Sequence, residues 1–450
     1  DEEAGSQQRR GVRWGLAVLA AVVPCAWIPA IGGLPIGGYA AIILILIGSV
    51  LIMPALAALT VDRLPMPSRM PAAIALAQLR ATPRQSAISI AAIVISMSLM
   101  ASMLIMVHSF RSSLDAWLAQ MLPADLYLRA GAGGETGYFT PEIQAELAAT
   151  PGVVRAEFLR SQTLLLDAAR APATLLARVI DEAHPEETLP LSDGAIHPGP
   201  GEPPPVWVSE AASDLYALRV GAHVTLPIGG ERQRFTVAGI WRDYARQNGA
   251  IAMARTRYIA LTGDRLANDA ALWLAPGVAP SAAQAAVRQR LGDASGVEIS
   301  SAREVRATSL ALFDRTFAIT YALEAAAIIV GLFGVSVSFS AQALARRREF
   351  GVLRHLGMTR RDIAIMLGIE GAIITALGAA LGLLVGWIAS LILVHVVNRQ
   401  SFHWSMEMHL PWTALAALAC GVVAAAALTA VLSGWPATRA DAVRAVREDW

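Results

Sequence analysis

Six long apolar runs divide this chain, at residues 14–31, 39–61, 86–108, 316–340, 363–394 and 412–434. A helix needs roughly 20 apolar residues to cross the hydrocarbon core of a bilayer, so the pattern predicts six transmembrane helices. The first run contains Pro24 and Pro29, which predicts a kink. Residues 32–38, Gly-Gly-Leu-Pro-Ile-Gly-Gly, read as a tight turn between the first two spans. In 62–85, four arginines accompany Ile74, Leu76 and Leu79, a mixture that fits a helix lying at the membrane surface.

Between the third and fourth runs the pattern changes. Residues 109–315 regain charge, proline and glycine, and are long enough for one or two folded domains. Alternating segments predict strands at 125–129, 153–167, 206–209, 223–227, 232–240, 271–274 and 297–300. Helical patterns fall at 141–149, 210–218 and 281–291, and 301–315 leads as a helix back into the membrane. Gly229-Gly230-Glu231-Arg232 is the expected hairpin turn, and 180–205, rich in Pro, Gly and acids, the expected loop. The fold class is therefore an α-helical integral membrane protein of six transmembrane helices with a large α+β domain outside the bilayer.

Composition agrees. Hydrophobic residues make up 55% and charged residues 16% of the 450, against about 25% charged in soluble domains. A net charge of +1 gives no case for nucleic-acid binding. Every basic residue is Arg, so the phosphate-binding loop GxxxxGK[ST] cannot occur, and any ATP used must be bound and hydrolysed by another chain. The two cysteines, Cys25 and Cys420, sit in apolar runs and make neither a disulfide framework nor a metal cluster. The chain begins with Asp1 rather than Met, which suggests processing or the C-terminal part of a longer protein.

Arginine bias sets the orientation. Segments 62–84 and 345–362 hold four and six arginines, whereas the loops 32–38 and 395–411 hold none and one. The first two segments and both termini are then cytoplasmic. The 109–315 domain, with 23 acids against 18 arginines over 109–314, lies outside.

No catalytic constellation emerges: there is no HExxH, no GxSxG and no Cys/His pairing. His184, His197 and His223 are scattered. His395, His403 and His409 lie near Glu407 at a spacing that fits no standard metal site, so no metal or cofactor is expected. Glu324 and Glu370 fall inside apolar runs, where acids are functional candidates by default; Glu370, two turns from the cytoplasmic end, suits a structural role nearly as well. Gly378, Gly382 and Gly386 are four residues apart and share one helix face, which permits close helix packing.

The charged stretch 345–362 carries six arginines and two acids, yet Phe350, Val352, Leu353, Leu356 and Met358 recur through it. Two readings stand: a positive-inside loop, or a short surface helix offering one face to a partner.

Arg347-Arg348-Glu349-Phe350-Gly351-Val352-Leu353-Arg354, followed by Leu356-Gly357-Met358-Thr359 and Asp362-Ile363, resembles the cytoplasmic motif of FtsX/MacB-type ABC transporter permeases. The resemblance covers roughly residues 72–450. Within the external region, Val206-Trp-Val-Ser-Glu210 and Phe235-Thr-Val-Ala-Gly-Ile240 are similar to the family's periplasmic core. One departure is His355, where the family usually has Ala.

The resemblance implies that 345–362 is a coupling helix docking on a separate, dimeric ATP-binding subunit. Phe350, Leu353, Leu356 and Met358 would supply apolar contact, and Glu349, Arg354 and Asp362 would orient it by charge. It also implies a MacB-type periplasmic core at 109–315, an FtsX-like permease domain at 316–434 and a cytoplasmic tail at 435–450. Residues 1–61, a cytoplasmic tail and two linking spans, are extra relative to a four-span permease. They resemble the large duplicated, YbbP-like ten-span permeases, as does Asn398-Arg-Gln-Ser-Phe-His-Trp404. The implied partners are that ATPase, a remaining N-terminal permease half or second copy, membrane lipids and, in some relatives, a periplasmic protein. The implied activity is mechanotransmission in a bacterial inner membrane, serving export or extraction of a hydrophobic or lipid-like substrate. The alternative is transmembrane signalling to a periplasmic enzyme such as a cell-wall hydrolase. A membrane-embedded enzyme using Glu324 or Glu370 is the weakest reading.

Overall fold

Two glycines set a tight hairpin turn in the α+β domain. In the computed structural model, which describes residues 2–131, 137–199, 201–292 and 296–439, Gly229 and Gly230 have φ of 65° and 84°. This is the two-residue hairpin geometry that other residues resist. Ile228 therefore pairs with Glu231, and strands β6 (His223–Ile228) and β7 (Glu231–Trp241) run antiparallel. Successive residues of β6 alternate between exposed and buried, with Val224, Leu226 and Ile228 inside, as its sequence predicts.

The remaining strands are β1 (Leu126–Arg129), β2 (Val153–Leu164), β3 (Ala173–Arg178), β4 (Leu191–Asp193), β5 (Pro205–Ser209), β8 (Ala250–Ala254), β9 (Asp269–Leu274) and β10 (Glu298–Ser301). They form one sheet in the order β10-β1-β9-β2-β3-β8-β5-β7-β4, with β6 on β7. β2 joins its two halves. Up to Leu159 it pairs with β9; from Arg160 it pairs with β3. One half packs Leu126, Leu128, Ala270 and Leu272 against helices Pro141–Ala148 and Pro280–Leu291. The other packs Val206, Val208, Phe235 and Met253 with Ala212 and Tyr258, from helices Glu210–Tyr216 and Arg255–Thr262.

Where β2 changes partner, a polar cluster fixes the register. Arg160 donates to Asp264 at 2.9 Å and to the Asn268 side-chain oxygen at 2.9 Å. That oxygen also accepts the Ser161 N–H at 2.9 Å, and Asp264 accepts from the Tyr258 hydroxyl and the Leu266 N–H, each at 2.9 Å. Burial alone would raise the Asp264 pKa, but the hydrogen bonds from Leu266, Tyr258 and Arg160 outweigh it and hold the carboxyl below its ordinary 3.8. A depressed folded-state pKa contributes stability above the unfolded value, and that contribution is lost as pH falls through the folded one. The domain should therefore lose stability progressively as pH falls below 3.8. Asp264→Asn should flatten this acid limb of the urea midpoint, read from tryptophan fluorescence; an identical limb in the variant would refute the assignment.

Five elements of this domain have no counterpart in the sequence expectation. β3, β8 and the helix Arg255–Thr262 have weak alternation. All five residues of β8, Ala-Ile-Ala-Met-Ala, are buried, and a strand buried on both faces carries no period-two signal. The long loop expected at 180–205 contains a single 3₁₀ turn, Pro185–Glu187, and the short strand β4.

The helical unit comprises residues 1–109, 317–401 and 407–450, and the α+β unit residues 110–316 and 402–406. Four described helices are long and apolar enough to span a membrane, at Ile36–Arg63, Ser86–Met121, Arg360–Phe402 and Trp412–Leu432. The first expected span, 14–31, falls instead across helices Glu2–Ala20 and Val22–Ala26, the second holding Pro24. The fourth, 316–340, lies inside one continuous helix, Ala302–Ala345. The fifth runs beyond 394. A π-turn at Leu393–Val397 carries it into Asn398–Phe402, so the polar stretch expected at 395–411 begins as helix. Leu393 and Val397 are buried there against Ala41 and Ile45, which explains why the helix persists. The final helix reaches Arg439, and 440–450 lie outside the described residues.

Candidate coupling site

The stretch 345–362 folds as a short helix and a turn. Arg347–His355 is helical; Gly357, at φ 99°, breaks it. Thr359 and Asp362 then form a reciprocal capping box that starts the helix Arg360–Ile392. Thr359 and Asp362 thus have a local duty: Asp362 accepts the Thr359 N–H at 3.0 Å, and its own N–H donates to Thr359 Oγ1 at 3.2 Å.

The apolar residues of the stretch divide between two faces. Phe350 is 1% exposed, packed with Ala75, Ile363, Met366 and Leu367, and Leu353 and Met358 lean on the same cluster. Phe350 is therefore not available for the docking contact expected of it; it anchors the segment to the surface helix Met70–Ala81 and to the start of the next long helix. Leu356, 77% exposed, and Val352 stay in the open, with Glu349, His355 and Gly357 exposed beside them. Glu349, Val352 and Leu356, at i, i+3 and i+7, share one face.

Charge fixes the segment from the other end. Arg346 donates to both oxygens of Glu370, at 3.1 and 3.0 Å, and to Glu349 at 3.0 Å. Its guanidinium lies 5.5 Å from the Phe350 ring. The Arg346 side chain is 12% exposed and that of Glu370 3%. Glu370, a candidate by its position in an apolar run, is the buried counterion of Arg346 at the start of this segment. Arg346 escaped the sequence reading because three adjacent arginines look alike; that a buried acid demands a cation was the only available signal. The side chains of Arg347, Arg348 and Glu324 lie outside those described.

Nearby, Arg80 of the surface helix donates to the carbonyls of Val61, Asp62 and Leu64 at the end of helix Ile36–Arg63. The three glycines lie against the helix that contains Ser86–Met121. A Cβ on Gly378 would meet Ile93 Cβ at 2.8 Å, on Gly382 Met97 Cβ at 2.6 Å, and on Gly386 the Ser98 carbonyl at 2.7 Å.

At the far end of the Arg360–Phe402 helix the chain enters the α+β unit. There Glu210 accepts from the Ser405 N–H at 2.7 Å and the Ser405 hydroxyl at 2.6 Å, and the Tyr244 hydroxyl donates to the Ser405 carbonyl at 2.9 Å. Trp404 is buried, stacked on Phe402 at 5.3 Å and edge-on to Tyr244 at 5.4 Å. His403 is 3.9 Å from Asp214, and among the described residues no three His, Cys, Asp or Glu side chains gather as metal ligands do.

Comparison with known families matches residues 86–290 to the MacB-like periplasmic core domain and 322–442 to the FtsX-like permease C-terminal family. Both matched regions are thus similar to parts of FtsX/MacB-type ABC transporter permeases. The coupling stretch lies wholly within the second match. The chain is 29% identical over 377 residues to an uncharacterized ABC transporter permease protein of Mycobacterium tuberculosis, a match covering 81% of the chain and 44% of that relative. The chain thus spans less than half the length of the curated relative it matches. It is also similar to the crystal structure of the extracellular domain of the noncanonic ABC-type transporter YknZ from Gram-positive bacteria. That likeness covers 39% of this chain and 98% of the other, at 15% identity and a TM-score of 0.27.

Proposed function

We propose that this permease is the membrane subunit through which a separate ATP-binding subunit moves the α+β domain. The observation that carries the reading is the division of the coupling segment. Phe350 and the Arg346–Glu370 pair fasten it inward, while Leu356 and Val352 stay exposed on the face that also carries Glu349, which reaches back to Arg346. Exposed apolar residues on a segment so firmly held suit a docking surface. A push on it enters the helix Arg360–Ile392 through the capping box, and the chain leads directly from there to residues 402–406, which Glu210 and Tyr244 hold to the α+β unit.

In this reading both termini and 345–362 are cytoplasmic, the α+β domain is outside the inner membrane, and 14–31 and 316–340 complete six spans. The ATP-binding subunit acts as a dimer. The chain would be the second half of a duplicated ten-span permease, with a first half or second copy as its membrane partner; a relative of more than twice the matched length leaves room for such a half. The cargo is hydrophobic or lipid-like, handled outside the bilayer.

A cysteine at position 356, in a background where Cys25 and Cys420 are serine, should cross-link to the ATP-binding subunit that co-purifies with the chain. A cysteine at Leu165, exposed in the α+β domain, should not. Cross-linking from neither position to a co-purified ATPase would contradict the assignment.

A further inference from the structure

The half-sheet β10-β1-β9-β2 has two unlike faces. Leu126, Leu128, Ala270 and Leu272 face the helices that cover one side. The alternate residues, Tyr127, Arg129, Glu157, Asp269, Ala271 and Trp273, border a cavity of about 330 Å³, with Leu122, Val305 and Arg178 at its margins. Three arginines and three acids contribute to the lining: Arg129, Arg178 and Arg246 with Glu157, Asp269 and Glu298.

Most of that charge is already committed. Arg129 binds Asp269 at 2.8 Å, Arg246 binds Asp243 at 3.0 Å, and Glu157 accepts from Arg155. Glu298 lies within the field of Arg129. Arg178 differs. It feels Glu157 and Asp243 from a distance, but has no ion-pair partner among the described residues. The Tyr127 hydroxyl accepts the Ala124 N–H at 2.8 Å, and its own hydrogen remains to be donated. Burial lowers the Arg178 pKa, and burial pushes that of Tyr127 up to about 12, so the phenol stays a donor.

We propose that this cavity binds the carboxylate of a single-chain acyl acid, its head held by Arg178 and the Tyr127 hydroxyl and its chain lying along Ala271, Trp273 and Leu122. One uncommitted cation calls for one negative charge, and Glu157 and Glu298 oppose a second. The volume is at the lower end of the about 300–1,000 Å³ typical of ligand sites, room for one short chain rather than a two-chain lipid. The inference rests on the proposed permease reading for the ligand's part in transport, but binding does not depend on it.

The test uses the full chain in nanodiscs, without ATP-binding subunit, and a photoactivatable diazirine analogue of decanoate, with labelled peptides mapped by mass spectrometry. Label should fall on peptides carrying Leu122, Trp273 and Val305. Decanoate should compete it away, and decanol and decylamine should not. Arg178→Gln should reduce labelling about tenfold or more, and Tyr127→Phe, which keeps the ring, about threefold. Equal competition by decanol, label confined to the membrane helices, or unchanged labelling in either variant would overturn the proposal. Should Arg178→Gln fail to fold, the competition series and Tyr127→Phe decide alone. Because no ATPase is present, failure here leaves the coupling reading untouched, and loss of the position-356 cross-link leaves this site untouched.

Discussion

Glu370→Ala is expected to destabilise the helical unit by about 3–5 kcal/mol, because it strands a buried guanidinium. Among the described residues Arg346, 12% exposed, then keeps the Phe350 ring and one anion, Glu349, which is itself half exposed. Arg346→Ala should cost less, since a carboxyl left alone can neutralise itself by taking up a proton and a guanidinium cannot. Replacing both by apolar residues of similar size, Arg346→Met with Glu370→Leu, should regain most of the loss. Thermal unfolding of the four proteins in one detergent gives the double-mutant cycle. A Glu370→Ala variant within about 0.5 kcal/mol of wild type, the range of ordinary surface changes, would mean the pair does not hold the segment.

Leu356→Glu should behave in the opposite way. Leu356 is 77% exposed, so the chain alone should insert and fold unchanged. If its side chain is buried against an ATP-binding subunit, truncating it alone forfeits about 1.5–3 kcal/mol, and the carboxylate adds a desolvation penalty. Docking should weaken by roughly a hundredfold. The pair of variants therefore separates the two faces of one short helix: one side holds the chain together, the other meets a partner.

That division was not legible in the sequence. Phe350 and Leu356 are both apolar residues among arginines. Six residues of helix place them about 240° apart, but which direction is inward depends on Ala75 and Met366, remote in sequence. Sequence spacing located the stretch, the four described spans and the β6–β7 hairpin because each rests on local periodicity or a glycine turn. It missed β8 because a strand buried on both faces looks like any apolar run. It also ended the fifth span at 394, because a π-turn packed on Ala41 and Ile45 is a tertiary fact. Trp404 was legible as part of a family-like motif, but its place in the α+β unit, beside Glu210 and Tyr244, needed the fold.

The central claim is that the exposed face of 345–362 couples this permease to ATP hydrolysis, and the most direct measurement is ATP turnover by the reconstituted complex with Leu356→Glu. Wild type and variant are first matched for membrane insertion and unfolding midpoint. The account predicts that the variant recovers little ATP-binding subunit and loses the permease-dependent part of ATP turnover. Full assembly and wild-type turnover in a correctly folded Leu356→Glu permease would contradict it.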